Sequence, residues 1–260
     1  MIGSAATARL CRNLLSDRGA ALVLAIVAGL LLSAIGTSLV VLTSADVLIA
    51  DNSGAGAEAF HGAEGALERT LSELEQVSDF TAVLDGTASS RFTDGPADGV
   101  RTLAGSGRLN LSEVVNEATC HNAVRCTEAA ITAKSRDRPW GARNPRWRLF
   151  AYGPLDADIS SGPSKDVYAL VMVADDPSDA DDDPWQDGGA VPGAFNEGAG
   201  VVLVRAEAYG RRSSRRIIEA VVSRPDLVEA ARWQASDPNT RGDPPTSRPR
   251  VAVLGWREAR

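Results

Sequence analysis

Histidine is nearly absent from this sequence, with His61 and His121 the only two in 260 residues. The chain also has no Gly-x-Ser-x-Gly elbow, no His-Glu-x-x-His pair and no phosphate-cradling Gly-x-x-x-x-Gly-Lys loop. It therefore lacks the usual starting points of hydrolytic, zinc and nucleotide chemistry, and no enzyme is expected. A basic surplus is missing too. Lys and Arg number 27 against 34 Asp and Glu, a formal net charge of −7, which is the wrong sign for a general nucleic-acid binder. Cysteine is scarce, limited to Cys11, Cys120 and Cys126. The last two suit a small disulfide loop in an oxidising compartment. Two free thiols, or a metal bound with His121, are the alternatives, although three ligands at this spacing match no common zinc pattern.

Charge is wholly missing from residues 20 to 45. As a helix rising ~1.5 Å per residue this segment would extend roughly 39 Å, more than the ~30 Å hydrocarbon core of a bilayer. A cleaved secretory signal has an apolar stretch of only ~7–15 residues, so the segment reads as a membrane span. Arg9, Arg12 and Arg18 precede it against a single Asp17. Asp46, Asp51, Glu58 and Glu64 follow it, with no Lys or Arg before Arg69. The positive-inside rule places the N-terminus in the cytoplasm and the remainder outside. Within the span, Ala25, Gly29, Ser33 and Thr37 recur every four residues, a ridge of small side chains along which another helix could approach closely. Small residues are also simply common in membrane helices.

A helical pattern resumes beyond the span. Phe60, Ala63, Leu67, Leu71 and Leu74 draw one apolar stripe, with Glu58, Glu64, Glu68, Arg69 and Glu73 supplying the solvated side. Asn52, Ser53, Gly54 and Gly56 form a weak spot between the halves, at ~1 kcal/mol per Gly relative to Ala. One long interrupted helix is expected from about Leu14 to about Val77.

The run Arg18-Gly19-Ala20-Ala21-Leu22-Val23-Leu24-Ala25 ahead of this helix resembles a type IV prepilin junction. More narrowly, it is similar to the minor pilins of the PilX class, which also carry an Ala-Glu-Ala-like motif late in the helix. Here that motif reads Ala59-Phe60-His61-Gly62-Ala63-Glu64-Gly65-Ala66-Leu67. The resemblance covers about the first 75 residues well, the C-terminal hairpin loosely and the middle hardly at all. It implies cleavage by prepilin peptidase after Gly19 and N-methylation of Ala20. It also implies partners among other minor pilins, the major pilin, the inner-membrane assembly platform and a tip adhesin. The chain departs from the family pattern at the fifth mature position, where Leu24 replaces the usual glutamate. That replacement points to a tip or initiation position instead of an ordinary repeating unit.

In the exported part, residues 78 to 145 read as irregular connections with short strands. Trp147 to Tyr152, Val167 to Ala174, Val201 to Tyr209 and Ile217 to Val222 are strand-like, the last two forming a hairpin about the polar turn Gly210 to Ser214. Val251 to Trp256 adds a possible late strand. The expected fold is α+β and pilin-like: a long N-terminal helix, transmembrane and then amphipathic, packed on an antiparallel sheet. Its divisions are a leader (1–19), a transmembrane and stalk helix (20–77), an exported domain (78–224) and a C-terminal extension (225–260).

Two charged features stand out. Asp175, Asp176, Asp179, Asp181, Asp182, Asp183 and Asp187 crowd one interstrand loop. Asp179, Asp181 and Asp183 alternate in a way that could converge on calcium, the one cofactor considered. Against this, Pro184 stands where an EF-hand-type loop needs Gly, and Gly189 where it needs a closing Glu, so a solvated acidic loop is the alternative. Arg211, Arg212, Arg215 and Arg216 surround the hairpin turn, where they could touch phosphate or an acidic neighbour, or serve solubility alone. The leading expectation is a structural minor pilin in the inner membrane. A minor pseudopilin of the K type, which shares the missing glutamate, and a plain type II single-pass membrane protein with an exported binding domain are the alternatives.

Overall fold

A computed structural model describes residues 17–77, 79–103, 107–155, 167–188, 198–224 and 251–259. Most of the expected leader, including Cys11 and Leu14, lies outside the described residues, as does Gly189. The chain divides into two compact units, residues 1–53 and 54–260.

Helix α1 spans Asp17–Leu74. Nothing in its sequence forbids this length, since it contains no proline and is dominated by Ala, Leu and Val. The first unit holds its apolar part, in which every side chain from Ala20 to Ala50 is exposed. Among the described residues this is the one helix long and apolar enough to cross a membrane. The expected interruption at Asn52 to Gly56 does not occur. Gly56 is a contact and not a break: a Cβ there would lie 2.9 Å from Nη2 of Arg216.

In the second unit a five-stranded antiparallel meander receives the helix. Its strands are β3 (Arg148–Pro154), β4 (Tyr168–Asp175), β5 (Val201–Tyr209), β6 (Arg215–Ser223) and β7 (Ala252–Ala259), in spatial order 3-4-5-6-7. A separate ribbon pairs β1 (Val100–Thr102) with β2 (Arg108–Asn110). Side chains alternate across β5, so Val202, Val204, Ala206 and Ala208 join one core while Arg205, Glu207 and Tyr209 face the other way. That core holds Ala63, Ala66, Leu67 and Leu74 of α1, with Phe60 and Leu71 packed against it. The expected apolar stripe is thus the sheet's cover. The helix also buries Ala55, Ala59 and Thr70. The late strand expected near Val251 is β7, paired with β6 through Ile217↔Ala259 to Ser223↔Ala252.

Residues 78 to 145 are more regular than expected. A short helix α2 (Thr81–Leu84) plugs Phe80, Val83 and Leu84 into the first core. Helix α3 (Leu111–Cys120) covers the opposite face of β3 and β4, where Leu111 and Val114 meet Tyr152, Tyr168, Leu170 and Met172. Asn110 caps its start. The Asn110 side chain accepts from the Ser112 N–H at 3.1 Å and its amide donates to Glu113 at 2.9 Å. A further turn, α4, spans Glu128–Ile131.

Close approach of α1 to the sheet rests on small residues. A Cβ on Gly62 would stand 2.7 Å from Val167 Cγ1, 3.2 Å from Leu155 Cδ1 and 3.3 Å from the Ala208 Cβ, whereas one on Gly65 would meet nothing within 4 Å. Gly62→Leu should therefore destabilise the fold by ~1–3 kcal/mol through overpacking. Gly65→Ala should stabilise it by ~0.5–1 kcal/mol through helix propensity. Urea unfolding of the full chain in a non-ionic detergent distinguishes the two, and equal effects would show that helix–sheet contact does not limit packing at Gly62.

Candidate functional site

The first candidate is the apolar half of α1. Gly19 and Ala20, the expected processing junction, fall in its first turn. Ala25, Gly29, Ser33 and Thr37 are all exposed along it, and a Cβ on Gly29 would meet nothing within 4 Å. The hydroxyls here bond to the helix itself: Thr37 donates to the Ser33 carbonyl at 2.9 Å, Ser38 to Ala34 at 2.7 Å and Ser44 to Val40 at 2.8 Å. Such back-bonding satisfies donors that hydrocarbon could not, so the polar residues do not oppose insertion.

Cys120 and Cys126 are joined as a disulfide, with Cα atoms 5.8 Å apart. The bond lies at the exit of α3, where His121 takes a left-handed conformation (φ 55°). Asn116 donates across the loop to the Ala123 carbonyl at 3.2 Å.

The acidic loop leaves β4 as a chain of turns in which four aspartates accept from a backbone N–H two residues on: Ser178 to Asp176, Asp181 to Asp179, Asp183 to Asp181 and Trp185 to Asp183. Asp179 is buried and also accepts from the Gly188 N–H at 2.7 Å. The carboxylates that converge are Asp175, Asp179 and Asp181, with oxygens within 4.8 Å of one another. Asp183 is not among them. It accepts from Gln186 at 2.6 Å, and Asp182 pairs with Arg143 at 2.9 Å. The expected trio is thus corrected by replacing Asp183 with Asp175, which belongs to the end of the strand and not to the alternating loop. Three carboxylates are an oxygen donor set of the kind calcium takes. Burial, then repulsion from Asp179, pushes the Asp175 carboxyl up to about 8; burial likewise raises Asp187 to about 6.

Turn arginines expected to face outward are largely engaged within the domain. Arg211 meets Glu58 at 3.3 Å, Arg216 meets Glu258 at 3.5 Å, and Arg215 donates to Glu207 at 2.7 Å. Glu207 is fully buried on the face of β5 away from α1, and also accepts from Arg205 at 2.7 Å and from the Tyr209 hydroxyl at 2.6 Å. Arg205 continues to Glu219 on β6, and Glu219 to Arg257 on β7 at 2.6 Å. This network escaped sequence reasoning, although polar residues at period two (Arg205, Glu207, Tyr209) in an otherwise apolar strand were its signal. Beside it, Trp140 and Trp147 flank a groove of roughly 780 Å³ floored by Leu203, Glu219 and Val221.

Comparison with known protein families, with curated proteins and with solved structures returns no match.

The acidic loop generates a pH dependence. Because the folded-state value of Asp175 lies above the ordinary carboxylate range of ~4, its contribution is fully present below that range and is lost as pH rises through about 8. Melting temperature should fall from pH 5 to pH 9 in the wild type. Asp175→Asn should flatten that fall and melt higher than wild type at pH 9. Parallel profiles for the two proteins would overturn this.

Proposed function

We propose that the chain is a membrane-anchored structural subunit of the pilin type, a minor pilin acting in initiation, assembly or tip formation of a type IV pilus. The observation that carries this reading is the double character of α1. Its residues 20 to 45 are apolar and without charge, and its residues from Ala55 to Leu74 bury a small-residue face on an antiparallel sheet. The junction Arg18-Gly19-Ala20 adds the family resemblance. On this reading the N-terminus is cytoplasmic, the span lies in a bacterial inner membrane and the second unit is periplasmic. Prepilin peptidase, other minor pilins, the major pilin, the assembly platform and a tip adhesin are its partners. The ridge of Ala25, Gly29, Ser33 and Thr37 is the assembly face, since hydrocarbon gives apolar side chains little drive to associate and close packing must supply it.

A minor pseudopilin of a secretion system shares these features and is separated by its partners. A type II membrane protein with an exported binding domain is separated by processing. Mass analysis of the chain from its native membrane should find an N-terminus at methylated Ala20; an intact Met1 would select the type II anchor. Gly29→Leu with Ser33→Leu should leave membrane insertion intact, both changes increasing apolarity, while reducing co-purification of partner pilins several-fold. Undiminished capture would remove the ridge as an interface.

A further inference from the structure

Charge is distributed unevenly over the exported unit. Residues 121–148 carry seven Lys and Arg against Glu128 and Asp137, in a chain whose overall charge is −7. Residues 175–187 carry seven aspartates and no cation. The two segments already touch within one molecule through Arg143 and Asp182, beside a cavity of roughly 210 Å³ lined by both. Arg146 is taken by Glu128, and Arg148 lies over the Trp185 ring.

The outer cations are different. Arg125, Lys134 and Arg136 are exposed, and among the described residues their side chains have no ionic partner. Two acids lie among them, Asp137 and Glu128, and the second is paired with Arg146. Val124 at 87% exposure and Trp140 at 46% add apolar surface to the same lobe.

This lobe is built to hold its shape. The disulfide closes it at one end. Asn144 donates to the carbonyls of Ile131 and Ala133 at 2.8 and 2.9 Å, and buried Arg138 donates to those of Ala130 and Ile131. A preorganised surface loses little freedom on association. On the opposing segment, like charges crowd one another, and a guanidinium or ammonium brought among them lowers that repulsion.

From this complementarity we propose that the basic lobe of residues 121–138 docks a second copy of the chain by its acidic loop, Asp175 to Asp187. The contact is heterologous, lobe to loop, so one copy is left with an undocked loop and the other with an undocked lobe, and the association is open-ended. It does not depend on the pilin reading, and it would place a second contact outside the membrane helix.

Sedimentation velocity of the full chain in a non-ionic detergent tests it. Self-association should be present at about 50 mM salt and weakened roughly tenfold or more at about 500 mM, where screening shortens to a few ångströms. Arg125→Glu with Arg136→Glu should abolish it, as should Asp182→Lys with Asp183→Lys, and unchanged thermal melting will show that both variants are folded. Mixing the two variants should restore a single contact and stop at a dimer, because the unaltered lobe of the loop variant meets the unaltered loop of the lobe variant. A wild type that stays monomeric at low salt, association insensitive to salt, or a mixture that stays monomeric would overturn the proposal. Association lost only in Gly29→Leu with Ser33→Leu would also overturn it, while leaving the membrane-helix reading intact.

Discussion

How closely a helix can lie on a sheet depends on what stands between them, and here almost nothing does. Gly56, Ala59, Gly62, Ala63 and Ala66 bring the backbone of α1 against Val167, Ala208 and the β5–β6 turn. Larger residues, Leu67 and Leu74, take over only toward the C-terminal end, where α2 and its plug of Phe80, Val83 and Leu84 share the space. Arg224 finishes the arrangement. Its guanidinium donates to the Leu74 carbonyl at 2.5 Å and lies 4.6 Å from the Phe80 ring centre, so a cation from the end of β6 meets the negative end of the helix. The meander itself adds little that is unusual. Sequential strands are neighbours throughout, although only the β5–β6 connection, Gly210 to Ser214, is short; 13, 25 and 28 residues separate the other pairs.

Much of this was legible in the sequence because it is periodic. The stripe from Phe60 to Leu74 repeats with the helical period, the runs ending at Ala174, Tyr209 and Val222 are rich in β-branched and aromatic residues, and the structure places a helix and strands there. Where reasoning erred, the period was broken or the cue was a single residue. Gly54 and Gly56 looked like a hinge because a helical glycine costs free energy in isolation. The contact with Arg216 that Gly56 makes in the structure comes from 160 positions away. Helix α3 was missed because its ten residues hold few large apolar side chains, although Asn110 and Glu113 announce its start. Spacing alone favoured Asp183 over Asp175 in the acidic trio. The turns that aim each carboxylate are fixed by backbone hydrogen bonds that no alternation rule encodes.

Buried acid is handled in two opposite ways in one domain. Glu207 sits inside a ring of donors from Arg205, Arg215 and Tyr209, so its charge is matched at every oxygen. Asp175 is half-buried beside other carboxylates and accepts from the Asp176 N–H, and burial, then repulsion from Asp179, raises its pKa above the ordinary carboxylate range. The first arrangement ties β5 to β6 and, through Glu219 and Arg257, to β7. The second leaves a loop whose charge responds to its surroundings.

The position of Gly62 also has a kinetic side. Its contacts, Leu155, Val167 and Ala208, are made about 90 to 150 residues later in the chain. A helix half rich in Gly and Ala is marginal on its own in water, and its apolar stripe has no cover until β4 and β5 exist. During synthesis the stalk is therefore the first part of its unit to emerge and among the last to be satisfied. The delay includes the translation of every residue up to β5. For that interval the chain carries an unshielded amphipathic segment, the kind of surface that chaperones hold and that aggregation exploits.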